Sequence, residues 1–279
     1  MELRDLHTLE EFRQVVALER EIWGGDYDDV VAVPILAVTV KRGGVLIGAF
    51  DKGRMVAFVY SLPGIKAGKP IQWSHMLGVI DEYRNAGLGR TLKLEQRLRS
   101  IDIGCDLIEW TYDPMQALNA HLNFVKLGVV VEEYGVNVYG ESASHLHKGT
   151  PTDRFIAQWW INEPHVLRRI APKSLAIVRT QDAADAPLVN VTKPSGQWLA
   201  CESYDLNRSD RRLWVEIPVG FTEMQAHDAP LALEWRMATR AIFTTYFARG
   251  YRAVDFLLDR AIGRGRYLLA ERGPHPGGQ

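Results

Sequence analysis

The stretch that most limits how this chain folds is residues 71–101. An apolar run, Ile71–Ile80, ends at Asp81-Glu82-Tyr83 and passes through Arg84-Asn85-Ala86-Gly87-Leu88-Gly89-Arg90. It then enters a basic segment whose apolar positions are Leu88, Leu92, Leu94 and Leu98. The first part predicts a strand and the last a helix over Gly87–Ile101. A strand that turns into a helix within a few residues sends that helix back against the sheet, which commits the chain to a layered architecture. The two glycines let backbone N–H groups approach an anion without a Cβ in the way, and the helix N-terminus adds the positive end of its dipole. The expected ligand of the turn is a phosphate or pyrophosphate. It has neither the Gly-Lys-Ser/Thr ending of a Walker loop nor the G-x-G-x-x-G of a dinucleotide fold.

Around this turn the first half alternates helix and strand. Leu9–Trp23 carries Phe12, Val15, Val16, Leu18 and Ile22 on one face, with Thr8 and Glu11 forming a capping-box pattern. Val30–Val40 stays open between a strand and a short helix begun by Pro34. Val45–Phe50 and Met55–Ser61 predict a hairpin across Asp51-Lys52-Gly53-Arg54, followed by a Pro/Gly loop at Leu62–Pro70. Beyond the basic helix come a strand at Leu107–Tyr112, a helix at Met115–Leu127 capped by Gly128, and a strand at Val129–Tyr139. Glu141–Asp153 reads as a connection, and Arg154–Ile161 as one more strand. The second half carries strand patterns at Ser174–Arg179, Leu188–Val191, Trp198–Glu202, Leu213–Ile217, Ala253–Leu257 and Arg266–Leu269, with a helix at Leu231–Arg249. Gly273–Gln279 is expected to be a disordered tail.

The spacing R-x-x-G-x-G after this strand resembles the coenzyme A pyrophosphate loop of the GNAT superfamily of N-acyltransferases, and the element order over residues 1–161 agrees with that family. The resemblance implies an α+β (α/β three-layer) fold: a GNAT-like mixed, mostly antiparallel sheet flanked by helices, with a C-terminal α+β extension over 171–272, for which a degenerate second GNAT-like half is one alternative. It implies acetyl-CoA or another acyl-CoA as cofactor, held by Leu77, Gly78 and Val79 on the strand and by Arg84, Asn85, Ala86, Gly87, Leu88, Gly89 and Arg90 in the loop. It also implies transfer of an acetyl or other short acyl group to the amine of a small molecule, an amino acid being one such acceptor. The wider pattern of Asp113-Pro114, Asn119-Ala120-His121, Thr152-Asp153-Arg154 and Trp159-Trp160 resembles a two-part bacterial branch of the superfamily.

Acyl transfer needs a base for the amine. Strand alternation places Trp73, His75, Leu77 and Val79 on one side, and His75 is the ionisable member, with an ordinary pKa suited to neutral pH. The family's usual tyrosine acid matches Phe124, which has no proton to give. Tyr112 and His121 are therefore the substitute catalytic candidates, with Tyr134 and Tyr139 behind them. A non-catalytic acyl-CoA-binding module, a protein N-acetyltransferase, and a purely structural turn are the alternatives.

Composition narrows the partners. With 33 Lys+Arg against 34 Asp+Glu the chain lacks the basic field of a nucleic-acid or acidic-membrane binder. Two cysteines offer neither a disulfide scaffold nor a CxxC metal site, so no metal is expected. The start has no signal-peptide layout and the longest apolar run, Val30–Val40, is too short to span a bilayer, which predicts a cytoplasmic location. A homodimer is left open.

Overall fold

The computed structural model describes residues 1–24, 29–140, 150–171 and 185–272. They form a mixed α+β protein whose sheet is mostly antiparallel and flanked by helices. The chain divides into two compact units: Met1–Trp110 with Trp159–Asn162, and the remaining described residues from Thr111 onward.

In the first unit β1 (Glu2–Asp5), β2 (Val45–Asp51), β3 (Arg54–Lys66), β4 (Lys69–Val79) and the start of β5 (Leu107–Tyr112) lie side by side in that order. Pairings are antiparallel up to β4, and β4 with β5 is parallel. The predicted loop at Leu62–Pro70 is instead the end of a long hairpin, turned at Ala67 and Gly68, both with positive φ. β3 is paired with β2 only as far as Ser61, so Pro63 lies where the strand has become an edge and a missing N–H is tolerated. The ambiguous Val30–Val40 run resolves as α2 (Val33–Lys41) with Pro34 in its first turn. α1 (Leu9–Trp23) begins with the expected capping box: Glu11 N–H donates to Thr8 Oγ1 at 3.3 Å, and Thr8 N–H donates to Glu11 Oε2 at 2.9 Å.

α1 and α3 (Leu88–Asp102) cover opposite faces of this sheet. A Cβ on Gly78 would run into Ile22 of α1 at 2.7 Å, whereas a Cβ on Gly89 of α3 would touch the neighbouring Leu77 side chain at 3.6 Å. Under α3 lies a buried polar knot. Lys93 Nζ donates to Ser74 Oγ at 2.7 Å and to Gln96 Oε1 at 3.2 Å, and it stands 3.8 Å from the centroid of the Trp110 ring. Gln96 Nε2 donates to the same Ser74 oxygen at 3.0 Å. Burial brings the Lys93 pKa down to about 7.

The second unit holds β6 (Val130–Gly135), β7 (Arg154–Trp160, through Gln158), β10 (Arg212–Pro218), β11 (Tyr251–Asp259) and β12 (Arg264–Glu271), in the order β7-β6-β11-β12-β10. A separate hairpin pairs β8 (Asn190–Ser195) with β9 (Trp198–Tyr204). The predicted helix at Met115–Leu127 forms as one α-turn, α4 (Ala117–Ala120), continued by a π-helical stretch, His121–Leu127, that ends at Gly128 in the left-handed region. α5 (Pro164–Ile170) and α6 (Phe221–His227), each seven residues, went unseen in the sequence because they span only two turns; α7 (Ala229–Ala248) is the long helix expected there. The strand expected at Ser174–Arg179 and the expected tail lie outside the described residues.

Two ion pairs pin α7. Arg236 donates to both oxygens of Asp113 at 2.6 and 2.8 Å with both side chains buried, and Arg240 donates to both oxygens of Asp153 at 2.8 Å. Removing one member of the first pair strands a buried charge, which costs about 3–5 kcal/mol. Asp113→Asn is therefore expected to lower stability by that amount in denaturant unfolding, and the double replacement Asp113→Leu/Arg236→Met by less than either single change. Lys93 carries a pH signature. Its proton is held less tightly folded than unfolded, so the unfolded chain binds more protons between about pH 7 and 10 and stability rises with pH there. Thermal unfolding of Lys93→Met beside the parent should show a shallower rise over pH 7 to 9.5; equal slopes would contradict the assignment.

Candidate functional site

The site builds outward from β4. Its register with β5 consists of Gln72 opposite Ile108 and Trp73 opposite Glu109, and ends there. From Ser74 to Val79 one edge of β4 has no strand partner among the described residues of its own unit. Ile80 N–H donates across to Val56 O on β3 at 3.1 Å. Backbone groups alternate sides along an antiparallel strand, so Leu77 and Val79 turn their N–H and C=O groups to the unpaired edge. Arg84 Nε reaches back to Val79 O at 3.1 Å, leaving the Leu77 groups and the Val79 N–H.

One residue breaks the pairing with β3. Tyr60 is opposite Met76 and Ser61 is opposite Ser74, so His75 is the extra residue of a β-bulge. The consequence overturns the expected alternation. Ser74 faces Lys93 and Gln96 on α3, and Leu77 faces Gly89 on α3 as well. Residues three apart share a face only across a bulge. The His75 ring instead stands edge-on to Tyr60 (centroids 6.1 Å apart), on the side where the Tyr60 hydroxyl donates to Thr39 of α2 at 2.9 Å. Trp73, His75, Leu77 and Val79 are thus not one row. His75 is solvent-accessible, while the protein packed around it partly desolvates its imidazolium and lowers its pKa. The imidazole is therefore neutral, and able to accept a proton, at neutral pH.

β4 leads directly into the glycine loop. A single 3₁₀ turn, Asp81–Tyr83, is anchored by Tyr83 Oη donating to Asp51 Oδ2 at 2.6 Å. Arg84 pairs with Asp81 at 2.8 Å, Asn85 takes φ +63°, and Gly87 takes φ +84° as the residue before α3. Arg84–Gly87 are exposed. No side chain caps α3 and no acidic residue stands in its first turn, in contrast to α1. The N–H groups of Gly87, Leu88 and Gly89 therefore surround the positive end of a four-turn helix. A Cβ at Gly87 would meet no atom within 4 Å. This donor set fits a pyrophosphate.

The structure brings His75, Leu77, Gly78, Val79 and the Arg84–Arg90 loop together on one continuous segment of the first unit. Tyr112 and His121 belong to the second unit and share no hydrogen bond or ring contact. Tyr112 is buried against Phe155, its hydroxyl beside Tyr267 but without a hydrogen-bond partner, and burial raises its pKa far above the usual range. His121 opens the π-helical stretch; its Nδ1 is buried without a partner and burial, with Lys126 and Arg260 nearby, lowers its pKa. Phe124 is core, packed edge-on to Tyr267. Asp153 is equally structural: besides Arg240 it accepts from Tyr134 Oη at 2.7 Å and Asn137 N–H at 2.9 Å.

Two ionisable residues escaped the sequence reading, Lys93 and Glu19. Glu19 is fully buried on α1; one oxygen accepts Val31 N–H at 2.9 Å and the other has no partner. A signal did exist: Glu19 falls four residues after Val15 and three before Ile22, on the apolar face.

No protein-family model and no curated protein matches the sequence. Among solved structures, the chain is similar to an acetyltransferase of the GNAT family from Streptococcus pneumoniae (15% identity over 56% of this chain and 96% of that one, TM-score 0.46). It is also similar to aminoglycoside 6'-acetyltransferase type Ii (18%, 59% and 100%, TM-score 0.46) and to the ribosomal-protein-alanine N-acetyltransferase from Brucella melitensis (17%, 57% and 98%, TM-score 0.45).

The two glycines of the loop are expected to separate in stability measurements. Gly87→Ala forces a Cβ into the left-handed region at a cost of about 1–2 kcal/mol. Gly89→Ala meets only an ordinary contact within a helix and should stabilise by about 0.5–1 kcal/mol. Denaturant midpoints of the two variants check both signs.

Proposed function

We propose that this chain is an acyl-CoA-dependent N-acyltransferase that moves an acetyl or other short acyl group onto the amine of a small molecule. The observation that carries the reading is the continuity of an unpaired strand edge with an uncapped, glycine-opened helix N-terminus. The first suits an extended amide-bearing arm, which adds to an open edge as a further strand does. The second suits a pyrophosphate. Coenzyme A carries both groups in one molecule, joined in that order behind a thioester. A structural turn would account for the glycines but not for a free edge feeding into them.

In this reading the N–H groups of Gly87, Leu88 and Gly89 hold the pyrophosphate, and Leu77 and Val79 hydrogen-bond the arm. Arg84 and Arg90 add positive charge at the loop. His75, re-aimed by the bulge, accepts the proton of the attacking amine as the N–C bond forms and the C–S bond breaks.

Calorimetry and thiol release test the two halves of this proposal. Coenzyme A should bind the parent chain, and Gly87→Val should weaken it about 10- to 100-fold, the worth of one or two hydrogen bonds to a charged group. Acetyl-CoA with a panel of amino acids, polyamines, aminoglycosides and short peptides should release thiol with a small amine. Release only with peptides would redirect the acceptor to proteins, and binding without release would make the chain a sensor. His75→Gln should lower kcat/KM about 100-fold at neutral pH and abolish the acid limb of its profile, which lies below the pKa of a free histidine.

A further inference from the structure

The polar knot beneath α3 is a closed ring of three side chains, all of them buried. Lys93 Nζ lies 2.7 Å from Ser74 Oγ and 3.2 Å from Gln96 Oε1, and Gln96 Nε2 donates back to Ser74 Oγ at 3.0 Å. A neutral amine satisfies every member of this ring. Ser74 O–H donates to the Lys93 lone pair, Lys93 N–H to Gln96 Oε1, and the Gln96 amide to Ser74 Oγ. The second Lys93 N–H is left for the face of the Trp110 ring, 3.8 Å away. When charged, Lys93 donates both of its ring bonds, and the Ser74 hydroxyl proton then has no acceptor among the described residues. The groups facing Lys93 are Ser74 from β4, Trp110 from β5 and Gln96 from its own helix, none of them charged. Glu109, next to Trp110 on β5, turns to the other face of the sheet, where Lys66 donates to it.

A hydroxyl within hydrogen-bond reach of a desolvated amine, with a third group orienting that amine, is the arrangement of an activated nucleophile. Its place in the fold sets its target. α3 runs back along β4 from the glycine turn: Gly89 is beside Leu77, and Lys93 and Gln96 are beside Ser74. Ser74 is also the first residue of β4 beyond its register with β5. Coenzyme A held by its pyrophosphate at the turn, and by the two amides of its arm at Val79 and Leu77, directs its sulfur, two methylenes further on, toward Ser74.

We propose that Ser74 and Lys93 are a nucleophile and base that take the acyl group of a bound acyl-CoA as a serine ester. This rests on the coenzyme A reading of the site and adds a reaction that needs no amine acceptor. Neutral Lys93 accepts the hydroxyl proton as Ser74 Oγ attacks the thioester carbonyl. The C–S bond then breaks and the Lys93 ammonium passes that proton to the departing thiolate. One acyl-CoA thus gives one acyl-Ser74 and one free thiol. Gln96 is the positioning residue, holding the Lys93 amine against Ser74. His75 points to the opposite face and takes no part in this step. The burial that keeps water from Lys93 also shields the ester once formed. Burial alone brings the Lys93 pKa down to about 7, so the base is present above that pH and lost below it.

Rapid mixing of the full chain with acetyl-CoA and no amine, read by thiol titration and by intact mass, decides it. The parent should show a burst of up to one thiol per chain and gain one acetyl group, located at Ser74 by fragmentation. Hydroxylamine should remove that group, as it does an ester and not an amide. Ser74→Ala should lose both burst and label, while calorimetry shows coenzyme A still bound. Lys93→Met should slow the burst about 100-fold or more and abolish its rise as pH passes about 7. Ser74→Cys should keep the label as a thioester. Coenzyme A binding with no acetyl group on the parent would overturn the proposal and leave the acyltransferase reading standing. An acetyl group on Lys93, or a label that persists in Ser74→Ala, would also overturn it. Failure of the parent to bind coenzyme A would sink the acyltransferase reading, and this proposal with it.

Discussion

Everything in the candidate site follows from the backbone of β4 losing its partners. An exposed strand edge is normally covered, charged or shortened, because unpaired N–H and C=O groups invite association. Here β4 is paired with β5 for two residues and then runs on for six more with one edge open in its own unit. The strand is long enough to do this because its other edge is secured by β3 from Lys66 to Ala57. Stability on one side leaves the other available to a ligand.

The open edge also needs its first open residues held at a set distance from β5. Lys93 occupies that place, bonded to Ser74 where the pairing ends and lying over Trp110 of β5. Burying an amine there is costly, which is why its pKa falls; the two hydrogen bonds it donates offset the loss of water. The bulge at His75 lies next to Ser74. One extra residue turns the strand's parity, so that Leu77 meets α3 while His75 joins Tyr60 on the α1 and α2 side. The Leu77 and His75 side chains are thus sorted to opposite faces by a single insertion.

Much of this was legible in advance. The glycine loop, the strand before it and the helix after it follow from periodicity and two residue types, and the capping box of α1 from Thr8 and Glu11 alone. Local signals suffice where a local hydrogen-bond pattern decides the outcome. They failed at Leu62–Pro70, where Pro63 and Gly64 suggest a loop; the strand survives because β2 has already ended alongside it. They also failed for α5 and α6, too short for a helical period to register. The pairs Asp113–Arg236 and Asp153–Arg240 join residues more than eighty positions apart, and nothing local to either aspartate marks its partner.

By itself the sequence determined the run of strand, glycine turn and helix around Arg84–Arg90, the capping box of α1, and His75 as an ionisable group on the strand before the turn. These depend on spacing and on backbone freedom at glycine, which travel with the chain. Tertiary structure alone decided which way His75 points, which β4 carbonyls remain available, and that Glu19 and Lys93 are buried with shifted pKa values. Those properties arise from register, from a one-residue bulge and from desolvation by distant segments. None of the three exists until strands and helices are packed together.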